Sequence, residues 1–224
     1  QKALHHMVGQ SGLRDSYVAM VCSRGRPKIP GSRDPRDCEN HFFAWCVPYV
    51  HVIKPEIIDQ GATAWISQNV YRIPEESVNP RVKNYLWGDF TQGIFEAKDN
   101  KYETVILLDF DGNVTEGPGF NVFAIKDGVL ITPDRGVLAG VSRKTVLEIA
   151  DYLGIGASIR PLSVDELLAA DEVFLSSSGG GVIPIVRVHE TIYGNGLKGP
   201  ISVRLNETYW QWTKFEKYRD PINY

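Results

Sequence analysis

Asn79-Pro80-Arg81-Val82-Lys83-Asn84-Tyr85-Leu86-Trp87-Gly88-Asp89 sets one lysine between a proline-marked loop and the start of a helical pattern. Residues 73–81 carry two prolines and read as the loop leading in. Downstream, Phe90, Ile94, Phe95 and Ala97 recur at roughly helical spacing and predict a helix over 86–100. Asp89 can cap that helix or lie in its first turn. A lysine in a polar loop is ordinarily solvated. Here Val82, Tyr85, Leu86 and Trp87 flank Lys83 and predict at least partial burial. Desolvation favours a neutral amine, which a Schiff-base nucleophile requires.

Upstream of this stretch, residues 1–10 read as a helix, and 17–22 and 42–52 as strands rich in β-formers. Between the strands, residues 26–40 form a loop made cationic by Arg26, Arg33 and Arg36. Arginines there can bind a carboxylate bidentately, although a solvated loop would look the same. Lys54-Pro55-Glu56 interrupts the apolar pattern. We therefore expect residues 1–50 to end a small N-terminal domain, 51–57 to link, and 58–224 to form a large domain. Its first strand is read over 61–72.

Past the lysine helix, residues 104–109 are a near-continuous apolar strand. Turns at Asp111-Gly112-Asn113 and Lys126-Asp127-Gly128 join it to strands over 121–125 and 129–132, as in an antiparallel meander. Val146, Ile149 and Leu153 mark one face of a helix over 142–153, with Ser142 as its cap and Gly154 as its end. A short strand (157–160), a short helix (164–170), strands over 172–175 and 183–188, and a helix over 201–215 complete the pattern. The fold class is α+β, with strands joined mostly by hairpins.

Three segments carry the small residues that an anion site needs. Gly140-Val141-Ser142 opens a helix, whose N-terminus offers free N–H groups and a partial positive charge. A plain cap on a surface helix would have the same sequence. Ser176-Ser177-Ser178-Gly179-Gly180-Gly181 follows a core strand, where glycines let backbone approach a ligand closely. No Lys-Ser or Lys-Thr follows the glycines, so this is no Walker loop. Glu116 stands before Gly117-Pro118-Gly119. Alone it would be a surface carboxylate. Beside a lysine and two anion-binding turns it can hold a pyridine nitrogen protonated, and the set makes up the parts of a pyridoxal phosphate site.

Composition narrows the field. A net charge of −3 gives no general attraction to nucleic acid or anionic lipid. No apolar run approaches a membrane span. Cys22, Cys38 and Cys46, like the five histidines, lack metal-ligand spacing, and no metal is expected. The odd cysteine count and the lack of a signal peptide point to reduced thiols and the cytoplasm. The chain opens on a helical pattern without an initiator Met, so a longer polypeptide is expected.

Taken in order, these segments resemble the fold-type IV pyridoxal phosphate enzymes, and most closely the (R)-selective amine transaminases. The residues that carry the resemblance are Val82 to Asp89, Thr115-Glu116-Gly117-Pro118-Gly119-Phe120-Asn121-Val122 and Asp127-Gly128-Val129. With them go Thr132-Pro133-Asp134-Arg135-Gly136-Val137-Leu138, Gly140-Val141-Ser142-Arg143-Lys144-Thr145-Val146 and the Ser/Gly run ending in Ile183-Pro184. The resemblance implies a two-domain fold like that of D-amino-acid aminotransferase, here with an incomplete N-terminal domain. The missing part would hold a further phosphate-binding arginine, which has no counterpart before Tyr17. It also implies a homodimer with the site between domains, completed by a second subunit.

By the same resemblance, Lys83 forms the aldimine and shuttles the proton, and Glu116 pairs with the pyridine nitrogen. Leu138 packs on the ring. Val141, Ser142 and Ser178 hold the phosphate, with Ser178 where relatives usually carry Thr. Trp87, Ser178 and Gly179 border the substrate, as do Tyr17 and Ala19 on one face of a strand. Arg33 is similar to the mobile arginine that binds a keto acid such as pyruvate. Branched-chain enzymes carry a tyrosine at the place of Gly88, which favours a small-molecule amine as donor. Branched-chain or D-amino-acid aminotransferases and aminodeoxychorismate lyases remain alternatives on this fold. A phosphate-ligand binding domain is the non-enzymatic one, and it would have no use for Lys83 and Glu116 as a pair.

Overall fold

In the strand Phe120–Lys126, Val122 and Ala124 turn to one apolar cluster and Phe123 and Ile125 to another. That alternation is the two-residue period of a strand buried on both faces. It organises the larger part of the chain. A computed structural model describes all of residues 1–224. It divides into two compact units, residues 1–50 with 219–224, and residues 51–218.

The first unit contains α1 (Lys2–Ser11), β1 (Ser16–Ser23) and β2 (His41–Pro48). β1 and β2 pair antiparallel, from Ser16 opposite Pro48 to Ser23 opposite His41. The intervening arm is more ordered than a loop. Pro27 bridges to Cys38, and Pro35–Asp37 is a 3-10 turn capped by Asp34. The C-terminal residues belong to this unit. The Tyr224 hydroxyl donates to Leu13 O at 2.9 Å, and the Arg14 guanidinium lies 3.7 Å from the Tyr224 ring centre.

The second unit begins at 51, so the segment expected to link domains is part of it. Ile53 is buried, and Pro55 starts α2 (Pro55–Gln60). A proline at the first helical position has its φ already set and loses no needed donor, so it begins this helix instead of breaking the chain's order. The elements that follow are β3 (Ala62–Tyr71), α3 (Gly88–Asp99), β4 (Thr104–Leu108), β5 (Glu116–Gly117), β6 (Phe120–Lys126) and β7 (Val129–Thr132). After these come α4 (Val141–Tyr152), β8 (Ala157–Ile159), α5 (Val164–Leu168), β9 (Glu172–Ser177), β10 (Gly181–Val188), β11 (Thr191–Ile192) and α6 (Pro200–Trp212).

One sheet runs β4-β3-β10-β9-β6-β7-β8, with β5 paired to β6 and β11 to β10. Hairpins account for only part of it. β3 is parallel to both β4 and β10, and β7 is parallel to β8. Parallel neighbours need a crossover, and α3 supplies one between β3 and β4. Leu175, Ile183 and Ile106 pack in one cluster with Leu162 and Leu167. Phe174, Val182, Val146, Ile149 and Leu205 fill a second, which seats α4 and α6. Val105, Leu107, Phe90 and Ala97 form a third under α3. No helix is long and apolar enough to cross a membrane.

Candidate active site

Glu116 lies on β5 opposite Asn121 of β6, where the sheet buries it. Its Oε2 accepts from the Leu138 N–H at 2.8 Å. Its Oε1 accepts from Arg72 Nε at 3.2 Å and lies 3.1 Å from Arg72 Nη2. Arg72 directly follows β3, and its N–H donates to Leu108 O at 2.8 Å. Its Nη1 donates to Asp89 Oδ2 at 2.6 Å, and its guanidinium lies 4.3 Å from the Phe90 ring centre. Asp89 is thus in the first turn of α3, whose N-cap is Trp87. Burial raises the Glu116 carboxyl pKa above its ordinary range, opposed by the Leu138 N–H and by the charges of Arg72 and Lys83.

Arg72 went unnoticed in the sequence. Its one signal is a charge at the end of an apolar strand. Its partners lie 17 and 44 residues away, beyond any local pattern.

From Glu116 the backbone leads to a helix terminus. The Leu138 carbonyl accepts from Asn121 Nδ2 at 2.9 Å and from the Gly140 N–H at 2.8 Å. Gly140 caps α4 in an extended conformation. A Cβ there would stand 2.3 Å from Asn121 Oδ1, so glycine is required for this close approach. The first-turn N–H groups of α4 have no intrahelical acceptors. Val141 is 83% exposed at that end. Ser142, expected to cap the helix, sits inside its first turn. Its Oγ lies 3.0 Å from the Tyr209 hydroxyl of α6, which draws the side chain away from the capping position. Arg143 donates to Pro133 O at 2.8 Å. Burial lowers its pKa, while Asp134 and Glu116 raise it and Arg81 lowers it further.

The Ser/Gly run is a hairpin, in which Ser176 and Ser177 extend β9 and Gly181 opens β10. Ser177 Oγ donates to Gly119 O at 2.8 Å and accepts from the Gly179 N–H at 3.1 Å. Gly179 O accepts from the Val52 N–H at 2.8 Å. These bonds clip the glycine turns after β5 and β9 together. Gly179 is buried and Ser178 exposed. Ser176 Oγ is buried without a hydrogen-bond partner, on the strand face shared with Phe174 that seats α4 and α6.

Lys83 is exposed, contrary to the burial expected from its neighbours. Those neighbours are themselves open, with Val82 63%, Tyr85 72% and Leu86 55% exposed, so they do not shield it. Its charge is the weakest of the influences that lower the Glu116 pKa. Trp87 stands edge-on to Phe90, with ring centres 5.5 Å apart, and its ring borders Gly119. A Cβ on Gly88 would meet nothing within 4 Å.

Tyr17, Ala19 and Arg33 belong to the first unit. Within it Ala19 is buried on β1, while Tyr17 and Arg33 are exposed. Of the loop's arginines, Arg36 is locked to Asp34, its Nε lying 2.9 and 3.0 Å from the two carboxylate oxygens.

In the second unit, then, a buried carboxylate and a helix N-terminus are joined by the short run from Leu138 to Val141, and a lysine's charge reaches the carboxylate. That set suits a flat heterocycle with a basic nitrogen and an anionic arm. Ser176, opposite Asn121 on β6, sets its partnerless hydroxyl beside the residue that Gly140 approaches, a polar atom still open to a ligand group. The residues present therefore fit pyridoxal phosphate.

Comparison with known proteins points the same way. The branched-chain-amino-acid aminotransferase of Salmonella typhimurium is 31% identical over 238 residues, covering 99% of this chain and 74% of its own. The crystal structure of the branched-chain aminotransferase from Thermoproteus uzoniensis with norvaline superposes with a TM-score of 0.86 at 29% identity, covering 97% of this chain and 72% of that one. The branched-chain amino acid aminotransferase from Thermobaculum terrenum, in its PLP form, gives 0.83 at 26% identity, covering 97% and 71%. The pattern of the amino-transferase class IV family matches residues 1–188, and this chain belongs to that family.

Proposed function

We propose that this aminotransferase takes the amino group of a primary amine of (R) configuration and passes it to a keto acid such as pyruvate. Its cofactor is pyridoxal phosphate, whose ring supplies the electron sink when bound. Lys83 provides the amine nucleophile and, at its Nζ, the group that moves the substrate proton. Glu116 accepts a hydrogen bond from the protonated ring nitrogen, and the Leu138 side chain supports the ring. The Val141 and Ser142 N–H groups at the start of α4, with the Ser142 and Ser178 hydroxyls, hold the phosphate. Trp87, Ser178 and Gly179 border the substrate, with Tyr17 and Ala19. Arg33 receives the carboxylate of the keto acid. A second copy of the chain covers the open Val82, Tyr85 and Leu86 strip, giving a homodimer.

The observation that carries the (R)-amine reading is Gly88. A side chain there would start in open space, with no atom beyond the adjacent residues and the helix backbone within 4 Å of its Cβ. By the resemblance drawn from the sequence, branched-chain enzymes carry a tyrosine at this place, whereas the (R)-selective amine transaminases are matched here. The names of the relatives favour a second reading, a branched-chain amino-acid aminotransferase on the same site.

The test is the visible spectrum of the full-length holoprotein. (R)-1-phenylethylamine is expected to bleach the yellow band, and the (S) amine to leave it. Bleaching by L-leucine and by neither amine would replace the first reading with the second.

A further inference from the structure

Arg72, Asp89 and Glu116 are 6%, 8% and 5% exposed, and one cation there faces two carboxylates. The cluster therefore buries one negative charge in excess. Such a charge is costly unless a proton or a cation joins it. The two carboxylates are not equivalent. Asp89 holds Arg72 at 2.6 Å, and the same oxygen accepts from the Ile73 N–H at 3.0 Å. Its other oxygen accepts from the Phe90 N–H at 2.8 Å. Glu116 has the longer contacts to Arg72, 3.1 and 3.2 Å, and a single backbone donor. The excess charge therefore falls on Glu116.

We propose that Asp89 is a positioning residue for the cofactor: by engaging Arg72 it leaves Glu116 the uncompensated carboxylate of the cluster, ready for a protonated ring nitrogen. This rests on Glu116 being the partner of that nitrogen. Arg72 after β3 is the one cation in contact with Glu116; Lys83 before α3 and Arg143 on α4 act on it only at longer range, and Asp89 acts through Arg72. Without the Asp89 charge, Arg72 and Glu116 form a neutral pair with no demand for a further proton.

The experiment uses full-length holoprotein loaded with pyridoxal phosphate labelled with 15N in the ring. The nitrogen chemical shift reports whether that atom is protonated. In Asp89→Asn, which keeps the shape of the side chain, the shift is expected to move toward the unprotonated position. Affinity for pyridoxal phosphate is expected to fall about tenfold, as for loss of one charged hydrogen bond. The double variant Arg72→Gln/Asp89→Asn again leaves one lone carboxylate, and is expected to restore the protonated shift. A native shift in Asp89→Asn overturns the inference. So does equal loss in both variants, which is what a merely structural role for Asp89 predicts. If Asp89→Asn does not fold, the double variant decides: a protonated nitrogen supports the inference and an unprotonated one overturns it. Glu116→Gln separates the two levels. If that variant keeps the native shift, the pairing of Glu116 with the nitrogen is wrong. If it loses the shift while Asp89→Asn keeps it, only the role of Asp89 falls.

Discussion

Glu96 and Glu116 are two glutamates drawn into the same unit, and their surroundings shift them in opposite directions. Glu96, on α3, accepts from Trp65 Nε1 at 2.8 Å, Ser67 Oγ at 2.7 Å, and the N–H groups of Gln68 and Asn69 at 2.7 and 3.4 Å. Burial is the largest single influence and pushes its pKa up, but the four donors together hold it below the ordinary range. Glu116 has one backbone donor and a share of one arginine, and there burial prevails. Neutral dipoles saturate the first carboxylate, which staples α3 to the irregular stretch of β3 where its pairing with β4 shifts register. The second keeps unspent capacity to bind a proton or a cation. A carboxylate left in that condition is a candidate for chemistry, whereas a saturated one serves as a structural joint.

Removing the cation from the second region is the largest perturbation. Arg72→Met would strand two buried carboxylates, and we expect a loss of about 3–5 kcal/mol in chemical denaturation. An unchanged midpoint would mean that water already reaches the cluster, and the contrast with Glu96 would collapse.

Next in size is the joint. Glu96→Ala removes the acceptor for the indole N–H of Trp65 and the hydroxyl of Ser67, and about 1–2 kcal/mol is expected, because water can reach Gln68 and Asn69. The pH dependence has a definite sign. The folded state depresses the pKa of Glu96, so its contribution is present above the unfolded carboxylate range and is lost as pH falls through the folded value. Wild type and Glu96→Ala should therefore converge in acid and separate toward neutrality. Melting curves that keep a constant gap down to the acid limit would refute the assignment.

The same contrast shows what the sequence could and could not disclose. Strand β4 and helix α4 are legible because an apolar run and a 3.6-residue period are local properties. Glu116 and Leu138 are legible as members of motifs, and the fold brings them within 2.8 Å. Arg72 is not legible, because its meaning depends on Asp89 and Glu116 in other elements. Ser142 looks like a helix cap until Tyr209, 67 residues away, is placed beside it. The burial expected for Lys83 failed for a related reason: apolar neighbours in sequence shield a side chain only if they are themselves covered. The parallel pairing of β3 with β10 depends on crossovers that no local pattern records.

The smallest expected effect discriminates best. Glu116→Gln should abolish most turnover if the carboxylate holds the ring nitrogen protonated, yet the cofactor-free protein should not weaken. Folding raises the pKa of Glu116, so the folded state binds a proton more tightly than the unfolded chain does. A group shifted this way favours the folded state below the unfolded carboxylate range, and that advantage is lost as pH rises through the folded value. Glutamine carries no such dependence. At neutral pH the variant without cofactor should match or exceed wild type, and the gain should vanish in acid. Glu96→Gln should show the opposite sign over the same range. Thermal melts of both variants across pH 4 to 8 make the comparison directly. If both lose stability toward neutral pH, Glu116 is a structural carboxylate like Glu96, and the case for its catalytic role weakens with it.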